Sequence, residues 1–230
     1  MGSVPALPVV NSHGMRTRAK SGFHQPRHNL HVEVTAISPV PSTYRRALDD
    51  PLWRQAMEDE FQALTNNNTW TLVPRPPHAN IVSGKWIFKH KFNSDGSLER
   101  YKARWVLRVF TQRPGIDFDE TFSPVVKPAT IRTVLSLALH QDWPIHQLDV
   151  NNAFLHGTLT ETVYCTQPAG FLDPAHPDHV CRLNKSLYGL KQAPRAWYSC
   201  FASRIQSMGF IEAKTDTSLF IYQHGPDTAY

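Results

Sequence analysis

Residues 84–92, GKWIFKHKF, alternate strictly: Trp86, Phe88, His90 and Phe92 fall on one side of an extended chain, Lys85, Ile87, Lys89 and Lys91 on the other. A period of two suits a β-strand and no helix. Asn93-Ser94-Asp95-Gly96 then supplies a tight-turn signal. A second strand follows from Leu98 to about residue 109, with Arg100, Lys102 and Arg104 at alternate positions. Any fold of this chain must therefore accommodate a hairpin with aromatic side chains on one face and cations on the other. Charge concentrates there: residues 81–113 hold eight Lys or Arg against two Asp or Glu, in a chain of 230 residues with net charge +5.

The other segments are less exacting. Residues 1–45 mix Pro, Ser, His, Arg and Lys without an apolar period, which predicts a disordered leader. Folding is expected to begin near Asp49, where Asp49 or Asp50 can cap a helix that has Pro51 in its first turn. Trp53, Met57, Phe61 and Leu64 would form its buried stripe, and Asn66, Asn67 and Asn68 its end. A second helix is predicted from Pro128 to His140, with Ile131, Val134, Leu135 and Ala138 on one stripe. IHQLDV reads as a short strand ending near Asp149. A third helix is predicted from Ala193-Pro194, carrying Trp197, Phe201, Ile205 and Met208, with Gly209 as its stop. SLFIYQ reads as a strand. Helices and strands alternate loosely, so the expected fold class is α+β.

At 41% hydrophobic residues the chain can form a core. No run approaches the roughly 20 apolar residues of a membrane span. Pro5 and Pro8 interrupt the only apolar stretch near the N-terminus, so the expected location is intracellular, cytoplasmic or nuclear, and not secreted. Cys165, Cys181 and Cys200 are odd in number and far apart in sequence. They read as packed, reduced thiols, neither a disulfide framework nor a zinc site.

Three segments carry candidate chemistry. The cationic strip of the hairpin can neutralise phosphates, although a charged strand face also serves to prevent edge pairing. Asp149, at the end of an apolar segment and before small polar residues, can hold a divalent cation together with substrate phosphates. An isolated Asp more commonly caps a turn. SLYGLKQAPRAWY combines Gly189, Lys191, Gln192 and Arg195 with aromatics, as a polyanion contact would, or as an amphipathic helix with a basic start would. His140, His146 and His156 have no ligand spacing and read as packing or surface residues. The residues alone thus lead to a basic α+β domain suited to a polyanion.

Six ordered segments go further: WRQAMEDEFQALTNNNTWTLV, GKWIFKHKFNSDGSLERYKARWV, TFSPVVKPATIR, QLDVNNAFLHGTLTETVYCTQPAGF, CRLNKSLYGLKQAPRAWY and GFIEAKTDTSLFI. Across about residues 49–230 they resemble, in order and spacing, the reverse transcriptase of copia-type (pseudovirus) LTR retrotransposons. HGMRTRAKSGFHQP in the leader resembles the stretch that follows integrase in the family's Pol polyprotein.

The resemblance implies a right-hand polymerase: a fingers-like region with the basic hairpin at 49–140, and at 141–230 a partial palm truncated before the catalytic hairpin. It implies Asp149 as the first catalytic carboxylate and magnesium ligand, with the Val150 carbonyl as a further metal contact. Lys102 and Arg104 become candidates for the triphosphate, Phe154 for excluding a ribose 2′-hydroxyl, and Gln192 for the element beneath nucleotide and template. The implied cofactor is Mg2+. Implied partners are RNA/DNA primer-template, deoxynucleotides and other Pol polyprotein domains, with no membrane. In the family the remaining carboxylates form a Tyr-Val-Asp-Asp hairpin; Asp216 and Asp227 do not sit in one. The chain by itself is therefore expected to be inactive. The alternatives are a non-catalytic nucleic-acid-binding remnant and an unstable pseudogene product. Val109 stands where the family has Gly, Asn151 where Lys is common and Cys165 where Met is common, departures that resemble drift.

Overall fold

The computed structural model describes residues 37–225 and 227–230. The leader expectation for residues 1–36 lies outside them. Ordered helix begins earlier than the sequence suggests, at Tyr44 rather than near Asp49. A short helix α1 (Tyr44–Asp49) is capped by the Thr43 hydroxyl and leads directly into α2 (Pro51–Asn66). Between them Asp50 caps α2 as expected, its Oδ1 accepting the Leu52 and Trp53 amides at 2.9 and 3.3 Å, with Pro51 in the first turn. Residues just before α1 are fastened to the core by polar contacts that composition does not reveal. The Ser38 amide donates to the Tyr101 hydroxyl at 2.9 Å, and the Trp53 indole to the Pro39 carbonyl at 2.9 Å.

The hairpin is present. After β1 (Trp70–Val73) and β2 (Ile81–Val82), β3 (Gly84–Phe92) pairs antiparallel with β4 (Leu98–Leu107), and Gly96 takes the positive φ (83°) of the turn. Register places Trp86, Phe88 and His90 opposite Trp105, Ala103 and Tyr101 on one face. Lys89 stands opposite Lys102 and Lys91 opposite Arg100 on the other. The aromatic face packs on α2. Fully buried Trp53 meets Tyr101 and Phe88 edge-on, with ring centroids 4.8 and 5.6 Å away, and His90 at 5.2 Å.

The buried stripe of α2 differs from the expected one. Trp53, Ala56, Met57, Glu60 and Leu64 are buried, so a carboxylate takes a core position. Phe61 moves to the flank, stacked on Phe171 at 4.7 Å. Val109 begins a single 3-10 turn at negative φ, so this position requires no glycine.

A four-stranded sheet that the sequence did not reveal lies beside the hairpin, in the order β1, β6 (Val180–Leu183), β5 (Tyr164–Cys165), β2. Only β5 and β2 run parallel. Cys165 and Cys181, far apart in sequence, are buried cross-strand neighbours here and both are free thiols; Cys200 is exposed. Core side chains from α2, the hairpin, this sheet and the 187–193 segment form one cluster.

Helix α3 (Pro128–His140) has the expected bounds but not the expected burial. Ala138 is buried, whereas Ile131 is 47% and Leu135 41% exposed. IHQLDV forms no strand. A strand needs a neighbour to bond, and no strand of the described residues lies alongside it; Leu148 is 89% exposed. Helix α4 (Ala193–Ser207) ends at Met208 before Gly209 and leads into an antiparallel meander of β7 (Ile211–Ala213), β8 (Asp216–His224) and β9 (Asp227–Ala229). No described helix is long and apolar enough to cross a membrane.

Candidate active site

The cationic side of β4, one side of α2, the 149–154 segment and Tyr188 line a cleft of about 690 Å³. Lys102, Arg104, Asp149, Val150 and Phe154 all line it. Five of the six residues named from the family motifs therefore converge on one cavity, although up to 52 residues separate them in sequence.

Each wall follows from local structure. On β4 the alternation places Arg100, Lys102 and Arg104 on the face away from Trp53, where Arg100 and Lys102 stand directly opposite Lys91 and Lys89 of β3 and Arg104 opposite Ile87. Such like-charge pairs are destabilising by a few tenths of a kcal/mol or more, so the strip is charged despite its own repulsion. Burial, together with neighbouring Arg104, Arg100 and Lys91, pushes the Lys102 amine down from its ordinary value; Glu60 pulls it partly back. Arg104 holds its guanidinium 4.8 Å from the centroid of the Tyr188 ring. Its Nε is buried without a hydrogen-bond partner.

On the opposite wall Asn152 is in the left-handed region (φ 52°), which Asn tolerates, and this turns the chain between Asp149 and Phe154. The Tyr188 hydroxyl donates to Asn152 Oδ1 at 3.1 Å, and the Phe154 ring meets Tyr188 edge-on at 5.9 Å. Tyr188 thus ties the cationic wall to the Asp149 wall. It is itself held by Gly189: at φ 95° the chain passes so close to β4 that an added Cβ would lie 2.3 Å from the Leu107 carbonyl oxygen. The Tyr188 carbonyl accepts the Leu107 amide at 2.8 Å. Burial raises the Tyr188 phenol above its usual value, so it remains a neutral donor. Glu60 lines the cleft from α2, with its carboxyl pushed up by burial and its Oε1 accepting the Trp105 amide at 3.4 Å.

Gln192 is not among these residues. It is 1% exposed; its Oε1 accepts from Gln112 at 3.1 Å and its Nε2 donates to the Asp117 carbonyl at 2.8 Å. With both ends engaged, it fastens two loops together. Lys191 lies over the Phe118 ring at 4.6 Å and Arg195 pairs with Glu120 at 2.7 Å, so the cations of that segment also have partners within the chain. His140, His146 and His156 are exposed.

Sequence reasoning missed Tyr188, Asn152 and Glu60. Tyr188 had a signal, an aromatic immediately before a glycine in a segment already singled out. Glu60 also had one, since it falls seven residues after Trp53 and four before Leu64, on the apolar stripe.

The exposed Asp149 carboxylate suits a magnesium ion whose other ligands are phosphate oxygens and a backbone carbonyl. Among the described residues no three His, Cys, Asp or Glu side chains converge to hold a metal. A two-ion centre would need acidic ligands beyond those they bring together.

The family model for reverse transcriptase (RNA-dependent DNA polymerase) matches residues 67–228. The chain is 52% identical over 229 residues to the retrovirus-related Pol polyprotein from transposon RE2 of Arabidopsis thaliana, spanning 99% of this chain and 16% of that polyprotein. It is 46% identical over 183 residues to the corresponding polyprotein from transposon TNT 1-94 of Nicotiana tabacum, spanning 78% of this chain and 14% of that one. An uncharacterized mitochondrial protein of Arabidopsis thaliana is 49% identical over 126 residues, 54% of this chain and 74% of that protein. No solved structure matches. The chain belongs to the reverse transcriptase (RNA-dependent DNA polymerase) family, as a segment of the kind found in the Pol polyproteins of copia-type transposons.

Proposed function

We propose that residues 49–140 act as the fingers-like part, and residues 141–230 as part of the palm, of an RNA-directed DNA polymerase. Lys102 and Arg104 take the triphosphate of an incoming deoxynucleotide. Asp149 and the Val150 carbonyl would hold a magnesium ion, and the half-buried Phe154 ring lies toward the sugar. The magnesium supplies charge neutralisation at the phosphates when bound. The protein's own residues orient the nucleotide, with Tyr188 fixing the distance between the two walls. The other partners are an RNA or DNA primer-template and further domains of a Pol polyprotein.

The convergence of the cationic strip and Asp149 on one cleft supports this reading. The test is binding of the 230-residue chain to a fluorescent primer-template across a salt series, with deoxynucleotide and magnesium present. Affinity is expected to fall steeply with salt. Replacing Lys102 and Arg104 by Ala should weaken it and flatten the salt slope by about one for each phosphate left unneutralised. No binding at low salt would overturn the reading.

A second reading, a nucleic-acid-binding module without catalysis, is favoured by one observation: Asp149 has no convergent acidic partners among the described residues. Primer extension separates the two. Missing metal-bound charge removes several kcal/mol of transition-state stabilisation, so the chain by itself is expected to bind without extending.

A further inference from the structure

On the buried stripe of α2, between Met57 and Leu64, the side chain that faces the core is a carboxylate. Glu60 is 8% exposed, comparable with the Ala56 beside it (8%), in a position where an aliphatic residue would pack at no electrostatic cost. Its hydrogen bonding does not account for that placement. The Trp105 amide reaches Oε1 at 3.4 Å, at the long end of the range, and no ion pair of contact length joins Glu60 to a cation among the described residues. Positive charge outside any ion pair among the described residues lines the same cleft: Lys102, which faces Lys89 across the hairpin, and Arg104. Arg104 keeps a buried Nε without a partner. The other acidic residues on the cleft walls, Asp59, Glu99 and Asp149, are all exposed.

We propose that Glu60 is a positioning residue for the cationic wall: an internal counter-carboxylate, acting from beyond ion-pair contact, that holds Lys102 and Arg104 in place while the cleft is empty and gives way to an entering triphosphate. This rests on the reading of the cleft as a triphosphate site. Like charges gathered on one strand face, with part of their hydration removed, would otherwise splay apart. Burial and the neighbouring cations pull the Lys102 amine down and Glu60 pulls it up, in keeping with that role. The same carboxylate repels a phosphate anion arriving against Lys102. Glu60 therefore favours an ordered empty site at the expense of affinity, which eases release of a polyphosphate after it has bound.

The test is calorimetric titration of the full 230-residue chain with inorganic tripolyphosphate at low and moderate salt. Glu60→Gln preserves shape and removes charge, and is expected to tighten binding about tenfold, as expected for deleting a like charge a few ångströms away in a partly desolvated site. Glu60→Asp retains the charge and is expected to bind no tighter than wild type. A residue that only supports the fold would lower the melting temperature when replaced and would never raise affinity. Unchanged or weaker binding by Glu60→Gln overturns the inference. If that variant does not fold, Glu60→Met, which fills the volume without charge, carries the same two outcomes. Lys102→Ala separates the two levels. If it weakens wild-type binding while Glu60→Gln changes nothing, only the role of Glu60 fails. If Lys102→Ala has no effect, or if the wild-type chain binds no tripolyphosphate, the reading of the cleft fails and the role of Glu60 with it.

Discussion

Helices α2 and α3, 16 and 13 residues long, both carry apolar residues at helical spacing, yet only α2 is buried along its stripe. Trp53, Met57 and Leu64 have no exposed surface, whereas Ile131 is 47%, Leu135 41% and Leu139 70% exposed. The richer aliphatic pattern belongs to α3, so periodicity does not explain the difference. What separates them is the available neighbour. Helix α2 lies on the aromatic face of a two-stranded hairpin. Helix α3 is tied to the 215–216 turn by Thr130, which donates to Asp216, and by Lys127, whose Nζ reaches the Thr215 carbonyl at 3.3 Å, and buries only Ala138. An apolar stripe says which side of a helix tends to be buried; a packing partner decides whether it is. The lesson extends to the cleft. Its cationic wall belongs to the well-packed region, while Asp149 follows a segment without regular structure in which Leu148 is almost fully exposed.

The largest effect that separates the two regions should come from Trp53→Ala. Removing the centre of the aromatic cluster is expected to destabilise the chain by about 3–5 kcal/mol in urea unfolding. Leu135→Ala in α3 should cost less than about 1 kcal/mol. Equal losses would break the comparison. Gly189→Ala tests how firmly the hairpin is joined to Tyr188. With φ at 95° and the Leu107 carbonyl in the way, a loss of about 1–3 kcal/mol is expected. Leu139→Asp, on the exposed face of α3, should fall within about 0.5 kcal/mol of wild type. A larger loss would mean that this face is covered in solution.

The smallest effects are in pH dependence, where the regions should have opposite signs. Burial raises the Glu60 carboxyl above its ordinary 4.5, so its folded form holds the proton more tightly than its unfolded form. Its favourable contribution is present below about 4.5 and is lost as pH rises through the folded value. Glu60→Gln should therefore raise Tm near neutral pH, with the gain closing under acid conditions. The Ser218 and Thr130 hydroxyls pull Asp216 down from 3.8 to about 2. Its contribution is present above 3.8 and disappears as pH falls toward 2. Asp216→Asn should lower Tm at neutral pH and merge with wild type in strong acid.

Features legible in the sequence were those whose signal is local. The turn at residues 93–96, the Asp50-Pro51 start of α2 and the bounds of α3 each depend on a few adjacent residues, and each is found. The sheet of β1, β6, β5 and β2 was not legible, because strands of two to four residues are too short to show a period, and their partners lie far away in sequence. IHQLDV had the composition of a strand but no strand to pair with. At the site, alternation put Lys102 and Arg104 on one face, and the family motif drew attention to Asp149, Val150 and Phe154. Gln192, drawn from the same motifs, does not line the cleft, because both ends of its side chain are held by Gln112 and the Asp117 carbonyl, partners some 75–80 residues away that no local signal reveals. Glu60 was passed over because a Glu in a helix is ordinarily solvated.

Hydrogen exchange on the 230-residue chain, with and without a deoxynucleoside triphosphate and magnesium, tests most directly whether the two walls act as one site. The account predicts added protection in residues 100–104, 149–154 and around Tyr188 together, reduced when Lys102 and Arg104 are replaced by Ala. Protection confined to the basic start of α4, or none in the 149–154 segment, would contradict it.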